Sequence, residues 1–243
     1  MNAIIKIRTG TAVDSRDRNF YVAMALACAV TVFVGFAPTY YLRAATVAPL
    51  SPLLHLHGIV FSSWFALFIV QTALVRADRR DWHRRLGVVG MLLALSMVWV
   101  GIEVAIQGAA AGTAGARQGV PPLLFLTIPL GGVVVFVSLV GLAIYFRHKS
   151  DTHKRLMLLA TISILTPAIG RMRLELFGMQ GPLINFAVTD IFIVACVIYD
   201  YAKRGRVHAV YIWGGLAIVI SQPLRLAIGR TEMWTTFAKW LTT

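Results

Sequence analysis

Acidic side chains are scarce in this chain. Ten Asp and Glu face 23 Lys and Arg over 243 residues, a formal net charge of +13 at pH 7. Cysteine is scarcer still. Cys28 and Cys196 are the only two, both inside apolar runs, so no disulfide framework is available and each thiol reads as a small buried hydrophobe. No HExxH, HxxxH or CxxC spacing occurs, and no nucleophile is paired with a base, which removes the hydrolases identified by such patterns. Charged residues make up 14% of the chain and hydrophobic ones 58%, against roughly 25% and 45–50% in a soluble domain. That balance also removes nucleic acid as the partner a large positive charge would otherwise imply.

What is abundant is apolar sequence in long runs. Runs at 20–42, 51–75, 86–107, 122–146, 156–177, 182–201 and 209–228 each reach the roughly 20 residues that cross a bilayer. They predict an all-α integral membrane protein, a bundle of seven transmembrane helices. The chain divides into a basic arm (1–18), a membrane domain (19–228) and a tail (229–243). The arm and first run resemble a signal peptide, but the run exceeds the about 7 to 15 residues of an h-region and further spans follow, so it reads as an uncleaved span. Gly108 to Pro122 reads as a flexible loop. Tyr40, Tyr41, Trp82, Tyr145, Tyr199 and Tyr201 lie near span ends, as interfacial aromatic belts do. In the tail, Met233, Trp234, Phe237, Trp240 and Leu241 form the stripe of an amphipathic helix lying on the outer membrane surface.

The basic residues cluster in alternate connections. Lys6, Arg8, Arg16 and Arg18 precede the first span; Arg76, Arg79, Arg80, Arg84 and Arg85 join the second to the third. Arg147, Lys149, Lys154 and Arg155 join the fourth to the fifth, and Lys203, Arg204 and Arg206 the sixth to the seventh. The positive-inside rule puts these connections in the cytoplasm, with the N-terminus inside, the C-terminus outside and anionic lipid headgroups as partners. The expected location is a bacterial inner membrane.

A repeat marks the cytoplasmic ends. Asp81-Trp82-His83-Arg84-Arg85-Leu86 and Asp151-Thr152-His153-Lys154-Arg155-Leu156 share the pattern D-x-H-[RK]-R-L, and Arg206-Val207-His208 echoes it. It pairs spans 2–3, 4–5 and 6–7 as related hairpins. One reading has Asp81 and Asp151 capping helices and the basic pairs meeting headgroups. The other has His83, His153 and His208 converging as proton or metal groups.

Ionisable residues also fall in the outer third of the spans. Glu103, Arg171, Arg173, Glu175, Asp190 and Arg225 join His55, His57 and Asn185 there. Such residues are costly in a bilayer and mark a site by default. Their three negative and three positive charges also permit a self-satisfied network, with Arg171 and Glu175 as i,i+4 neighbours. On the second span His57, Trp64 and Gln71 recur every seven residues, one inward face, with Gly58 permitting close packing. The candidate ligand-binding residues are therefore His57, Trp64, Gln71, Glu103, Arg171, Asp190 and Arg225. His55, His57, Glu103 and Asp190 are the candidate metal ligands. A haem would lie near the cytoplasmic surface, where the inter-span histidines are, or use one axial His. Pro129 with Gly131 and Gly132, Pro167 with Gly170, and Pro223 interrupt regular helix, as at transporter sites.

Through His57-Gly58, Trp64, Gln71, His83-Arg84-Arg85-Leu86-Gly87, His153-Lys154-Arg155-x-Met157 and Arg171, the chain resembles a family of predicted bacterial multi-span membrane proteins. The resemblance covers spans 2 to 5. It implies that these positions belong together and imports no activity, since the family's function is unknown.

The leading expectation is binding or passage of a small polar or anionic ligand through an outer pocket, with Arg171 and Arg225 clamping it and Glu103, Asp190 and His57 exchanging protons. The alternatives are a metal- or haem-dependent redox protein and an accessory subunit whose charges pair with a partner. The seventh span contains no Lys for a retinal Schiff base.

Overall fold

A computed structural model describes residues 11–44, 46, 49–172 and 181–243, apart from the side chains of residues 11–16 and 117. Lys6, Arg8, Arg173 and Glu175, together with the side chain of Arg16, lie outside the described part. Within it every regular element is helical. The helices are α1 (Thr11–Phe36, prolonged by a π-helical turn Ala37–Tyr41), α2 (Pro52–Arg76), α3 (Arg80–Ala110), α4 (Pro122–Phe125) and α5 (Thr127–Tyr145). They continue with α6 (Ser150–Ser163), α7 (Thr166–Ile169), α8 (Pro182–Arg204), α9 (Ala209–Gly229) and α10 (Glu232–Thr242).

Among the described residues six stretches are long and apolar enough to cross a membrane: Asp17–Tyr41, Pro52–Arg76, Arg80–Ala110, Pro122–Tyr145, Pro182–Arg204 and Ala209–Gly229. Their outward faces carry exposed Val88, Leu92, Leu95 and Trp99 on α3 and Trp213 and Ile220 on α9. Apolar faces of that extent suit lipid and not water. The chain is an all-helical integral membrane protein.

The expected fifth span differs from the other six. It is divided into the 14-residue α6 and the single turn α7, separated at Ile164 and Leu165. Proline explains where the break falls. Pro167 has no N–H and its ring crowds the carbonyl four residues back, which belongs to Ser163, the last residue of α6. The same arithmetic ends α4 at Phe125, four residues before Pro129. Pro223, by contrast, sits inside an unbroken α9.

The divided element stands at the centre of the bundle. α6 packs against α1, α5, α8 and α9, and Leu158, Leu159, Ala160 and Ile162 are fully enclosed. α7 lies against α1, where a side chain at Gly35 would collide with the Ala168 carbonyl. α10 does not present the single stripe expected of it. Trp234, Ala238 and Leu241 pack inward, with Trp234 Nε1 donating to the Leu123 carbonyl at 2.8 Å. Met233, Phe237 and Trp240 form a second, exposed apolar edge.

Candidate functional site

The side chain that most needs explaining is Arg225. It lies four residues from the C-terminal end of α9 and is only 7% exposed. Its Nη2 donates to Ser221 Oγ at 2.8 Å and its Nη1 to the Ile128 carbonyl at 3.4 Å, and the guanidinium faces the Phe186 ring at 6.0 Å. Nε is buried without a partner. No carboxylate pairs with Arg225 among the described residues. Gly131 makes the slot, because a side chain there would come within 2.7 Å of the arginine stem.

Polar groups continue from Arg225 into the neighbouring elements. Gln222, one turn before it, donates to Asp190 Oδ1 at 2.7 Å. On α8 the buried Thr189 hydroxyl donates to the Asn185 carbonyl at 2.8 Å and meets Thr166 Oγ1 of α7 at 3.0 Å. Gln118 Nε2 donates to the Gly170 carbonyl at 3.2 Å, beside the Asn185 amide. Ser221, Gln222 and Phe186 were not among the sequence candidates. The signal was local, since Ser221 and Gln222 are the i−4 and i−3 neighbours of Arg225.

The other candidates separate. Arg171 lies over the Phe36 ring at 4.5 Å and donates to the Pro167 carbonyl at 2.9 Å, close enough to His57 for its charge to act on the imidazole. His57 stacks on Phe61 at 4.2 Å, and its Nδ1 is buried without a partner. The contacts described for Arg171, with Phe36 and the Pro167 carbonyl, differ from those of Arg225 with Ser221, the Ile128 carbonyl and Phe186. Trp64 is buried and its Nε1 donates to Thr161 Oγ1 at 3.3 Å. Gln71 lies about 21 Å along α2 from His57 at 1.5 Å per residue, toward the opposite end of the bundle, and its Oε1 is buried without a partner. The inward stripe is real, but it spans the helix and does not line one pocket. Glu103 is half-buried on α3 and has no hydrogen bond or ion pair among the described residues.

The predicted metal set is not assembled either. His55 is exposed beside Tyr40, His57 is on Phe61, and Asp190 is bonded to Gln222. Among the described residues no three His, Cys, Asp or Glu side chains gather around one point.

At the arginine-rich end the structure contains a cluster that sequence spacing did not reveal. Arg155, 0% exposed, donates from Nη2 to Asp200 Oδ1 and from Nη1 to Asp151 Oδ1 at 3.3 Å. Lys154 pairs with Asp17 at 2.6 Å and Asp151 at 2.9 Å. Arg204 reaches Asp17, Asp200 and Asp151 at 3.2, 3.3 and 3.5 Å. Four helices are tied by these bonds, α1, α6 and α8 through side chains and α9 through the His208 N–H, which donates to Asp200 Oδ2 at 2.7 Å. Asp151 is thus an ion-pair partner in the first turn of α6 and not its cap. His208 caps α9 instead, its Nδ1 accepting from the Val210 N–H at 3.2 Å.

Burial, and after it the Arg155 charge, holds the His208 imidazole below its ordinary pKa, while Asp200 and Asp151 act the other way. The unfolded chain therefore binds the proton first as pH falls, so this contribution to stability is present above the ordinary histidine pKa of about 6.5 and is lost below it. Asn caps helices without titrating. His208→Asn is expected to flatten the fall in melting temperature between about pH 7 and about pH 5; an unchanged slope would remove His208 as its source.

No protein-family model, curated protein or solved structure matches this chain.

Proposed function

We propose that this protein binds, and passes across the bilayer, a small anion carrying a carboxylate or phosphate group. The bundle crosses the membrane seven times, α6 and α7 together forming the discontinuous fifth crossing, with the N-terminus inside and the C-terminus outside a bacterial inner membrane. The observation that carries the reading is Arg225, a guanidinium enclosed in a membrane helix with an unpartnered Nε and, among the described residues, no carboxylate paired with it. A buried charge without a counter-charge is costly, and an arriving anion supplies the missing one. Arg presents a planar fork matched to carboxylate and phosphate. Asp190, one hydrogen bond away through Gln222, is the group placed to couple binding to a proton.

The test uses acetate and inorganic phosphate as probes on the full chain in detergent. At a hundredfold excess over Kd a bound anion stabilises by about 2.7 kcal/mol, roughly 5–10 °C in a protein of this size. Arg225→Lys, which keeps the charge and loses the fork, is expected to weaken binding about tenfold. A melting temperature indifferent to both anions, or equally shifted in the variant, overturns the reading.

A further inference from the structure

The two histidines of the D-x-H-[RK]-R-L repeat, seventy positions apart in the chain, come together in space. The His83 and His153 ring centroids are 6.3 Å apart with the ring planes at 84°. Their helices do not pack closely along their lengths: α3 rests on α2 and α5, and α6 on α5, α9, α1 and α8. The rings thus meet although α3 and α6 share no extended packed seam.

One ring has a nitrogen committed to a backbone carbonyl. His153 Nδ1 is 2.8 Å from the Ala143 carbonyl, at the end of α5. His83 Nδ1 is buried and has no hydrogen-bond partner. A ring N–H held by a carbonyl is the arrangement that fixes the tautomer and orientation of a metal-ligating histidine and leaves the other nitrogen for the metal.

The number of ligands selects the kind of metal centre. Among the described residues no third His, Cys, Asp or Glu joins the pair, so a zinc ion, which takes four ligands, would be under-coordinated. An iron porphyrin brings four nitrogens of its own and asks the protein only for axial ligands. Two imidazoles on opposite sides of a metal at about 2 Å each hold their ring centres roughly 6 Å apart, the spacing observed. The basic residues Arg84 and Arg85 that follow His83 suit the porphyrin's carboxylates. We propose that His83 and His153 are the axial ligands of a haem at the arginine-rich end of the bundle, a site separate from that of Arg225.

The experiment is titration of hemin into the purified full-length protein in detergent, followed by its visible spectrum before and after reduction. The expected result is saturation at one haem per chain with a six-coordinate, low-spin spectrum. His83→Ala and His153→Ala should each weaken hemin binding at least tenfold and convert the residual spectrum to high spin, while His57→Ala and Arg225→Met leave both unchanged. Should an alanine variant fail to fold, His153→Met keeps a ligand and is expected to raise the reduction potential, as His/Met ligation does. Unsaturable uptake that is equal in wild type and variants, or binding of monovalent copper in place of hemin, overturns the proposal.

Discussion

Arg225→Met is expected to melt at a higher temperature than the wild-type protein and to respond no longer to acetate or phosphate. The two effects have one cause. An arginine costs about 2.5–3.5 kcal/mol at the centre of a membrane helix on insertion scales and less toward its end, where Arg225 lies; Arg225 recovers part of its cost through Ser221, the Ile128 carbonyl and the Phe186 ring, but its Nε recovers nothing. Met fills the slot beside Gly131 with an unbranched apolar chain and brings no charge. The expected gain is about 1–2 kcal/mol, read as a rise of several degrees in the melting temperature in detergent. Stability surrendered at a position that binds is a common trade in functional sites. If the variant instead melts well below wild type, Arg225 is a structural group and the anion site has no foundation.

The opposite outcome is expected at the other end. Asp200→Asn should lower stability by up to about 3–5 kcal/mol, the cost of leaving a buried charge without its partner, less what the Asp151 carboxylate that Arg155 keeps at 3.3 Å recovers. The amide keeps the shape of the side chain and can still accept from the His208 N–H, but it cannot neutralise Arg155, which has no exposed surface. Asp17→Asn should cost much less, because its partners Lys154 and Arg204 are each about a quarter exposed and keep Asp151. The double variant Arg155→Met/Asp200→Leu removes both charges and should recover more than half of the loss, since an apolar pair of similar volume replaces a buried ion pair at little cost. Urea or thermal unfolding of the wild type, Arg155→Met, Asp200→Leu and the double variant closes the cycle. Additive losses would show that the pair does not act as a unit.

Those two ends were legible to different degrees. The crossing helices could be placed from the sequence because an apolar run of about 20 residues has few other uses, and α8 and α9 begin where expected, at Pro182 and Ala209. Proline was harder to read. Pro129 and Pro167 end helices whereas Pro223 is absorbed, and only the surrounding packing decides which of these happens. Arg225 was recognisable as a charge in an apolar run, but the absence of a paired carboxylate among the described residues was not, because the sequence offers Glu103 and Asp190 as formal partners. Asp190 turned instead to Gln222. Asp17, Arg155 and Asp200 escaped notice for the converse reason. Each lies near a span end, where a charge ordinarily meets headgroups, and only the neighbours Asp151–Arg155 and Asp200–Arg204 are visible as i,i+4 spacing. The convergence of four helices on one cluster has no signature along the chain.

The divided fifth element assigns its two parts to different company. α6 is anchored by Lys154 and Arg155 in the ionic cluster, whereas α7 is held by the Gly35 backbone contact with α1 and by Thr166 on Thr189 of α8. Between them run only tight-turn bonds such as Leu165 N–H to the Ile162 carbonyl at 3.0 Å. A continuous helix transmits a push along its axis; this one has a joint after Ser163, nearer its α7 end. A shift of the single turn α7 can therefore reshape the surroundings of Gly170 and Asn185 without tilting α6, because only Ile164 and Leu165 join the two.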